Sequence, residues 1–451
     1  MSSTTEAHRV SVAWRLERIP QNSYLRFIGG VILLSYFVEA IDNGAVGYFM
    51  PLFAKEFSLD NKTLGLVGTV SNIGVMIGAL FSGLFCDTLG RKKIIVASMF
   101  AWGVCGLFLA NAWSLESLIA ARILLGLGLG AQVPAVLTIL SELLPSKLRG
   151  YYFTVCLAFL PLGAAAAGLL SYYLVPVIGW RGVAVIEAIP CLLALVIWKY
   201  VPESPFWLET KGRYEEADAI MNKIEQRVVE ITGKPLPAVH VPNVTYQATT
   251  PEKAPLKELF SREHIKSTLL VTIWWPTALA ALYGLMTWFS VLLVAKGFPI
   301  MKSIGYISLM YVSGILGIPF VRYSVEKFGR KATAMCLGAL SALAAYLYGI
   351  STTLPLIFAF GILYNFFSTS AGMVNNMYTA ELFPTRIRGT GTGYASFIGR
   401  IGAILGPLII GFIMQGFGVQ AVFYFAMLMY LIFVVAIGVL GHETKGKVFT
   451  E

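Results

Sequence analysis

One block of this sequence occurs twice, and the second copy lies 239 positions after the first. The tripeptide Gly-Arg-Lys at 90–92 recurs at 329–331. A second motif, which places Glu, Leu, Pro, Arg and Gly at fixed spacing over 142–150, recurs over 381–389. One constant offset for two separate motifs predicts that the chain folds as two similar halves.

The composition places those halves in a membrane. Of the 451 residues, 57% are hydrophobic and only 13% are charged, and the mean hydropathy is +0.73. A soluble protein carries about 25% charged residues. A helix that spans a bilayer needs roughly 20 apolar residues, so the chain has length for about twelve such helices.

Twelve apolar runs are present, and one long polar stretch separates the first six from the last six. This pattern predicts an all-α membrane protein with twelve transmembrane helices in two pseudo-symmetric six-helix bundles. The runs fall at 27–51, 63–86, 94–113, 116–141, 152–176, 182–200, 267–294, 303–323, 333–350, 354–378, 391–414 and 419–440. The predicted organisation is a polar amino-terminal segment at 1–24, a first bundle at 25–201, a central cytoplasmic loop at 202–264, a second bundle at 265–440 and a tail at 441–451.

The formal net charge of +10 reflects where the basic residues lie. If the amino terminus is cytoplasmic, most of the 34 Lys and Arg residues fall in cytoplasmic segments and few fall in external loops. This is the positive-inside asymmetry of membrane proteins. It predicts an integral membrane protein with both termini in the cytoplasm. The partner that the charge indicates is a lipid bilayer and not a nucleic acid.

The segment 83–93 joins the second and third runs, and its residues suit a tight turn at a membrane surface. Gly90 permits a sharp backbone turn. Asp87 lies at the end of the second run, where its carboxylate can face the positive amino end of a neighbouring helix. Arg91 and the lysines after it hold the turn on the cytoplasmic side.

By residue order and spacing, 83–93 resembles the loop signature of the major facilitator superfamily, GxxxD(R/K)xGR(R/K). Other segments resemble further motifs of that superfamily: the RxxxGxG-like 122–128, the paired 142–150 and 381–389, the PESPRWL-like 202–208 and the PETKG-like 442–446. The resemblance covers nearly the whole chain. It implies a monomeric carrier of a bacterial inner membrane, in which a site between two halves opens to either side by alternating access.

The resemblance also implies a latch made of charges on the inner face. These charges would pair across the halves when the cavity faces outward, and they would separate when it opens inward. The alternative is that they only fix topology and cap helix ends. The latch residues are Asp87, Arg91, Glu142, Arg149, Glu326, Arg330, Glu381 and Arg388.

Three ionisable residues lie well inside apolar runs. Glu39 and Asp42 are three positions apart in the first run, so they share one helix face. Arg400 lies near the middle of the eleventh run, and its counterpart in the repeat, position 161, is Pro. An ionisable group at mid-membrane costs at least ~2.5–3.5 kcal/mol on insertion scales, so each is a functional candidate. A charged residue that is present in only one of the two halves is more readily explained by ligand binding than by a structural role that both halves share.

The segments 37–42 (FVEAID) and 399–402 (GRIG) resemble the aromatic acid:proton symporters and the related nicotinate and synaptic-vesicle-like carriers. This branch implies proton-coupled import of small organic anions, such as hydroxybenzoate or nicotinate. The exact substrate, the proton stoichiometry and the direction of transport in the cell stay open at the level of sequence.

The chemistry of the three charges fits that function. A guanidinium in low dielectric binds a carboxylate through two parallel hydrogen bonds, so we predict that Arg400 holds the substrate carboxylate. Buried carboxylates take up and release protons, so we predict that Glu39 and Asp42 exchange the coupling proton as one coupled pair. The alternative is an ion pair between one of these carboxylates and Arg400 that only ties two helices together.

Aromatic and amide side chains on the fourth, seventh and tenth runs are candidates to complete the substrate site. Ring faces suit an aromatic substrate, and amides can fix its orientation. The alternative for any single Trp or Tyr is the aromatic belt at the membrane interface. The candidates are Gln132, Tyr283, Trp288, Asn365, Asn375, Asn376 and Tyr378.

Three other functions are open. A sugar or polyol porter is favoured by 202–208, but the fifth run lacks the paired Gln of such porters and a neutral sugar leaves Arg400 without a role. An organic-cation transporter would bind its cargo with Glu39 and Asp42, but the fifth run lacks the GPxxGG antiporter signature. A membrane sensor that binds without transport is disfavoured by the short tails.

No enzyme, cofactor or metal site is indicated. The sequence contains no HExxH, GxSxG or GxxxxGK[ST] motif, and its four His residues lack the spacing of metal ligands. We therefore expect a carrier without a cofactor or metal, driven by an ion gradient and not by ATP.

The latch hypothesis leads to a first prediction. Replacing Asp87 by Asn removes one latch charge while preserving side-chain shape, so transport should fall while folding persists. Substrate uptake is measured at equal expression of the variant and the wild-type protein. Uptake at the wild-type rate would remove Asp87 from the latch.

Overall fold

The structure is a computed structural model, and it describes residues 11–239 and 256–446. Every regular element in these two ranges is helical. Short 3-10 turns occupy Ile189–Leu192 and Leu256–Phe260. The α-helices are α1 (Val12–Glu17), α2 (Ser23–Glu56), α3 (Asn61–Leu89), α4 (Arg91–Ala110), α5 (Leu115–Leu143), α6 (Ser146–Ala188), α7 (Leu193–Tyr200), α8 (Pro205–Thr210), α9 (Tyr214–Thr232), α10 (Ile265–Ala295), α11 (Ile300–Phe328), α12 (Arg330–Ile350), α13 (Leu354–Leu382) and α14 (Thr385–Leu440).

Two continuous helical segments each contain two membrane spans: Ser146–Tyr200, which runs from α6 through the 3-10 turn to α7, and α14. Helix α6 is broken at Gly179, where φ is 68°, and α14 is broken at Gly418, where φ is 79°. Both values lie in the left-handed region that favours glycine. The two breaks are separated by the offset of the sequence repeat. Within the described ranges, ten continuous helical segments are long and apolar enough to span a membrane, and these breaks divide two of them, giving the twelve spans predicted.

The predicted apolar runs leave short gaps at 177–181 and 415–418. In the structure the helix is broken at a single glycine within each gap. The chain therefore reverses direction without a loop between the fifth and sixth spans and between the eleventh and twelfth. The other spanning helices extend past the apolar runs by one to five residues at one or both ends, except that α4 ends at Ala110, before the predicted run does. Side-chain caps support several of these ends, as where Asp60 accepts the backbone N–H of Thr63 at 3.0 Å.

Two matching turns join α3 to α4 and α11 to α12. Gly90 has φ of 102° and Gly329 has φ of 88°, so both positions require glycine. The tight turn predicted at Gly90 is confirmed. We call the end of the bundle that carries these two turns the latch end, and the opposite end the far end.

A small helical layer lies at the latch end of the first half. Arg15 on α1 contacts Asp218 at 3.0 Å and Glu225 at 2.9 Å, both on α9. Glu17 accepts the backbone N–H of Ser146 at 2.9 Å, which joins α1 to the start of α6. This layer contains parts of the segments 1–24 and 202–264. The rest of those segments, at 1–10 and 240–255, lies outside the described residues, as does 447–451 of the tail.

The exterior of the bundle is apolar. Large side chains such as Leu84, Val177, Phe417 and Val439 are more than two-thirds exposed. Exposed apolar surface on this scale is unfavourable in water and favourable against lipid. The fold is therefore that of an integral membrane protein.

Glycines let helix backbones touch inside each half. A Cβ added at Gly402 on α14 would overlap the carbonyl oxygen of Pro276 on α10. A Cβ added at Gly130 on α5 would overlap the carbonyl oxygen of Val75 on α3. Such close approach is how helices gain van der Waals contact in a membrane.

The packing at Gly402 gives a second prediction. Gly402→Ala should destabilise the protein by about 1–3 kcal/mol, because the added methyl overlaps a backbone atom that moves only with its helix. The matched control is Gly30→Ala on α2, where a Cβ would meet open space. The measurement is the thermal unfolding midpoint of each purified variant in detergent. Equal midpoints for the two variants would contradict the packing assignment.

Candidate functional site

A cavity of about 270 Å³ lies between the two halves. Helix α6 supplies the wall from the first half, and α10, α11, α13 and α14 supply the wall from the second half. Most of the lining is apolar or aromatic. The polar or charged members are Tyr283, Tyr311, Asn365, Thr369, Asn375, Asn376, Ser396 and Arg400, together with the indole of Trp275.

The cavity extends from mid-depth toward the latch end. At 1.5 Å per residue, Asn376 lies about 9 Å from the end of α13, whereas Arg400 lies about 22 Å along α14 from its start. Both of these helix termini are at the latch end.

The far end is closed by contacts between the halves. Thr69 on α3 donates a hydrogen bond to the carbonyl oxygen of Ile404 on α14 at 3.0 Å. The backbone N–H of Asn61 donates to Gln415 at 3.2 Å. Helix α6 packs on α11, and α2 packs on α10. This conformation is therefore shut at the far end.

Arg400 is the charged residue on the cavity wall. Within residues 11–239 and 256–446 its guanidinium makes no hydrogen bond to a side chain or carbonyl and no ion pair, although Glu39 lies close enough to interact electrostatically. The helix-tying ion pair considered from the sequence is therefore not formed here. Pro161, the repeat counterpart of Arg400, lies on the opposite wall of the same cavity.

Glu39 and Asp42 are buried behind the cavity wall and not on it. Glu39 is 3% exposed and accepts a long hydrogen bond of 3.4 Å from Asn43. Asp42 is 8% exposed, and one of its carboxylate oxygens has no hydrogen-bond partner in the described part of the chain. The attracting charge for Asp42 is Arg122 on α5.

Two charged residues that the sequence analysis did not place in the site lie near Asp42. Arg122 is 1% exposed and Glu187 is 4% exposed. Arg122 has two guanidinium nitrogens, and Glu187 one oxygen, without a partner among the described residues. Arg122 also faces a small space of about 30 Å³ with Asn43, Asn72 and Tyr283. The signal that could have identified Arg122 is the rule that marked Arg400, since both are arginines inside apolar runs.

Two predicted site residues are not on the cavity wall. Gln132 is fully buried, accepting a hydrogen bond from Trp102 at 2.8 Å and donating one to the carbonyl oxygen of Ser35 at 2.9 Å. Trp288 is fully buried and donates to the carbonyl oxygen of Pro407 at 3.0 Å. The prediction that they line the cavity is wrong, because their polar groups instead satisfy helix contacts inside one half.

Tyr378 is a third predicted site residue that is not on the cavity wall. It is fully buried near the latch end, where its hydroxyl donates to the carbonyl oxygen of His442. Its ring packs against Trp274, with centroids 5.2 Å apart. Tyr378 therefore joins the tail to the second half and does not face the cavity. The remaining candidates all line it: Tyr283, Asn365, Asn375 and Asn376.

Three further residues line the cavity although the sequence does not mark them: Tyr311, Thr369 and Ser396. Tyrosine, serine and threonine are frequent in this chain and carry no mid-membrane charge. No feature of the sequence separates these three from similar side chains that face lipid or a helix contact.

The latch charges form the same arrangement in each half. Arg91 contacts Glu142 at 3.0 Å, and Arg330 contacts Glu381 at 2.8 Å. Asp87 adds a 3.1 Å contact to Arg91. Each of these pairs joins residues of one half, and none of the three crosses between the halves. The latch role of these charges stays a prediction.

Three other latch candidates stand apart from this arrangement. Glu326, the repeat counterpart of Asp87, does not contact Arg330; it is largely exposed and lies 3.8 Å from Arg322. The latch role of Glu326 concerns the state in which the latch end is closed, so it stays a prediction. Arg149 lies 3.8 Å from Glu17 and bonds the carbonyl oxygen of Leu144. Arg388 lies in the first turn of α14.

Two carboxylates outside the spans cap the helices that follow the glycine turns. Glu203 accepts the backbone N–H groups of Arg91 at 3.0 Å and Lys92 at 3.1 Å. Glu443 accepts those of Arg330 at 2.8 Å and Lys331 at 3.1 Å. Each carboxylate satisfies donors that a helix start leaves open, and it faces the positive end of the helix dipole.

The environment of Glu443 shifts its titration. Burial raises the pKa of the Glu443 carboxyl, but hydrogen bonds from the surrounding backbone N–H groups outweigh burial. The pKa of Glu443 therefore lies below the usual value for glutamate.

Residues 29–451 match the family described as sugar (and other) transporter. The niacin transporter NiaP of Acinetobacter baylyi is 31% identical over 434 residues, which cover 96% of this chain and 97% of that protein. The 4-hydroxybenzoate transporter PcaK of the same organism is 30% identical over 400 residues, covering 86% of this chain and 85% of that protein.

The fold is similar to that of solved transporters. The inward open conformation of the xylose transporter XylE from E. coli superposes with a TM-score of 0.74 at 19% identity, covering 94% of this chain and 98% of that one. A bacterial homologue of the lysosomal transporter Spinster gives 0.73 at 14% identity, covering 93% and 98%. At these identities the likeness concerns the fold alone.

The carboxylate cap gives a third prediction. Because the pKa of Glu443 is lowered on folding, its contribution to stability is present above the usual glutamate pKa of about 4.3 and is lost as the pH falls through the lowered value. Glu443→Gln should cost about 1 kcal/mol at pH 7, as loss of a helix cap does. The difference from wild type should shrink below about pH 4.

The measurement for this prediction is the thermal midpoint of each protein at pH 7 and at about pH 3, where the carboxylate of the cap is being protonated. The control is Glu326→Gln, which changes a largely exposed carboxylate and should leave the midpoint unchanged at both values. A Glu443→Gln deficit that stays constant with pH would show that the charge of the cap is not what stabilises the turn.

Proposed function

Because the chain belongs to the family of sugar and other transporters, we propose that it imports small aromatic monocarboxylates together with protons, by alternating access. Hydroxybenzoate and nicotinate represent the substrate class. The chain is a membrane transporter and not an enzyme. The substrate, the coupling ion and the direction are our proposal.

The observation that carries the proposal is the guanidinium of Arg400 on the cavity wall. It has no hydrogen-bond partner among the described residues, and the surfaces around it are mostly apolar. A cation in such a place is stabilised by a bound anion, and a guanidinium matches a carboxylate with two hydrogen bonds. Arg400 is thus suited to bind the carboxylate of the substrate.

The remaining walls suit an aromatic ring of small size. Trp275, Tyr283 and Tyr311 supply ring surfaces, and Asn365, Asn375 and Asn376 supply polar groups. The volume lies near the lower limit of ~300 Å³ for sites of drug-sized ligands, which favours a small metabolite. The relatives named for niacin and for 4-hydroxybenzoate support this class, since both compounds are aromatic acids.

The proton is assigned to the buried carboxylates of α2. Glu39 and Asp42 have few hydrogen bonds, and a carboxyl group buried in this way is less costly to keep neutral than charged. Arg400 interacts electrostatically with Glu39, so a substrate anion bound to Arg400 changes the field at Glu39. This coupling links proton exchange to substrate binding. Arg122 and Glu187 belong to the same buried charge cluster.

Orientation follows from the positive-inside rule, which places the latch end in the cytoplasm. The conformation described here is then open to the cytoplasm and closed to the outside. Alternating access requires the reverse state, in which the latch end closes. In that state we expect the pairs around Arg91 and Arg330 to exchange partners across the halves.

A sugar porter fits the cavity less well. The first half contributes Leu157, Leu160, Pro161 and Ala164 to the wall, and none of these offers a side-chain hydrogen bond. A sugar or polyol carries hydroxyl groups on all sides and needs a hydrogen-bond partner for each, because an unpaired hydroxyl costs free energy on burial. An organic cation fits less well too, since the charge on the wall is positive.

The fourth prediction tests the carboxylate site. Arg400→Ala should lower uptake of 4-hydroxybenzoate at sub-saturating concentration by about 10- to 100-fold, the effect of losing a charge-assisted hydrogen bond. Uptake is measured in proteoliposomes with an inward proton gradient. The control is Arg322→Ala, which removes a largely exposed arginine and should transport normally.

Competition identifies the substrate class in the same assay. Benzoate-like acids should compete with the labelled substrate, and glucose and quaternary ammonium compounds should not. Competition by glucose alone would favour the sugar porter. Binding without flux at any gradient would favour a sensor. Normal uptake by Arg400→Ala would remove the observation on which the proposal rests.

A further inference from the structure

A groove of about 270 Å³ lies on the outside of the second half, between α11 and α12. Both helices pack on α13, and they leave this space between them near the latch end. Neither the proposed substrate site nor the proton path uses the groove. Its lining is apolar apart from one hydroxyl-bearing residue on each helix. The lining residues are Phe320, Ser324 and Phe328 on α11 and Ala332, Thr333, Cys336, Leu337 and Leu340 on α12.

The groove faces away from the central cavity. With 3.6 residues per turn, Phe320 lies about 180° around α11 from Tyr311, which lines the cavity. Ser324 is buried on the floor of the groove, whereas Phe328 and Cys336 on its rim are exposed. An exposed apolar rim on a spanning helix is in contact with lipid. The groove therefore opens toward the bilayer.

The length of the groove is close to the thickness of one lipid leaflet. From Phe328 to Phe320, and from Ala332 to Leu340, it extends roughly 12 Å at 1.5 Å per residue. One leaflet makes up about half of a hydrocarbon core that is ~30 Å thick. An acyl chain of the leaflet at the latch end fits this length. Its atoms gain van der Waals contacts with walls on two sides, which a flat helix surface does not offer.

The first half has a different surface at the equivalent place. The repeat counterpart of Ser324 is Phe85, whose ring stacks on that of Phe81 with centroids 5.9 Å apart. The counterpart of Phe81 is Phe320, whose ring instead contacts Phe366 on α13 with centroids 5.2 Å apart. A serine thus stands where the first half carries a phenylalanine ring. Because the two halves differ here, the groove is not required by the fold that they share.

Two lysines lie where the groove reaches the latch end. The Nζ atom of Lys327 is 5.3 Å from the ring centroid of Phe328 on the rim. Lys445, in the tail, donates a hydrogen bond to the carbonyl oxygen of Lys327 at 3.1 Å. Lys327 itself donates to the hydroxyl of Tyr323 at 2.9 Å. The hydrogen-bond acceptors of both ammonium groups are therefore neutral.

The carboxylates in this region have other partners. Glu326 lies 3.8 Å from Arg322. Glu443 accepts the backbone N–H groups of Arg330 and Lys331. The two ammonium groups are thus available to an anion at the level of the membrane surface. Lysines in this position attract anionic lipids.

We propose that the groove between α11 and α12 binds one anionic phospholipid from the leaflet at the latch end. An acyl chain lies in the groove between Phe320 and Leu340, and the phosphate binds the ammonium groups of Lys327 and Lys445. Phosphatidylglycerol has this chemistry, whereas phosphatidylethanolamine carries an amine that balances its phosphate. The proposal does not depend on the identity of the transported substrate.

The test is native mass spectrometry of the purified full-length protein, titrated with phosphatidylglycerol or with phosphatidylethanolamine. Wild type should bind the first phosphatidylglycerol about 5- to 25-fold more tightly than phosphatidylethanolamine, since each lysine contributes about 5-fold. Replacing both lysines, Lys327→Ala with Lys445→Ala, should remove this preference. The matched control is Lys302→Ala, which removes an exposed lysine at the other end of α11 and should leave the preference unchanged.

A second pair of variants tests the groove itself. Cys336→Trp places an indole in the space of the acyl chain and should weaken binding of the first phosphatidylglycerol by about 3- to 10-fold. The matched control is Ala97→Trp, because Ala97 is the repeat counterpart of Cys336 and is also exposed. It should bind phosphatidylglycerol as wild type does.

Three outcomes would overturn the proposal. Equal affinity of wild type for the two lipids removes the anionic headgroup site. A preference that survives the loss of both lysines places that site elsewhere. Equal affinities of Cys336→Trp and Ala97→Trp for phosphatidylglycerol show that the acyl chain does not occupy the groove.

Discussion

Contact between helix backbones across glycines holds each half of this protein together. Lipid supplies no hydrophobic force between helices, so packing must come from surfaces that fit closely. The pairs Gly402–Pro276 and Gly130–Val75 show how tight that fit is. Helices packed this closely move as a unit. The contacts between halves are at the far end, as at Thr69, and the cavity lies where the two rigid units diverge.

The sequence predicted the fold in detail because the membrane leaves few alternatives. Backbone groups in lipid must bond within the chain, so each apolar run of sufficient length becomes a helix. The constant offset between the repeated motifs predicted two similar halves. In the structure the same offset separates the helix breaks at Gly179 and Gly418. The sequence did not show that each break occurs at a single glycine. In the sequence alone, a glycine that adopts positive φ cannot be distinguished from the many glycines that mediate helix packing.

The candidate site was predictable where charge marks it. Arg400 stands out because a guanidinium in a span is costly, and it is on the cavity wall. Other side chains carry the same kinds of polar group as the residues on the cavity wall, but those groups form hydrogen bonds within one half. These side chains are Gln132, Trp288 and Tyr378. Packing between helices decides which face of a buried helix lines the cavity. A helix that is apolar on all sides has no periodic pattern of polar residues that would mark this face in the sequence.

The matching carboxylates Glu203 and Glu443 are not in the bundles that they stabilise. Each follows the sixth span of its half and returns to clamp the turn between the second and third spans. The segment that follows each bundle therefore stabilises that bundle. For protein engineering, a reporter or affinity tag fused directly after Leu440 would discard one of these clamps, whereas a fusion placed beyond residue 446 retains it.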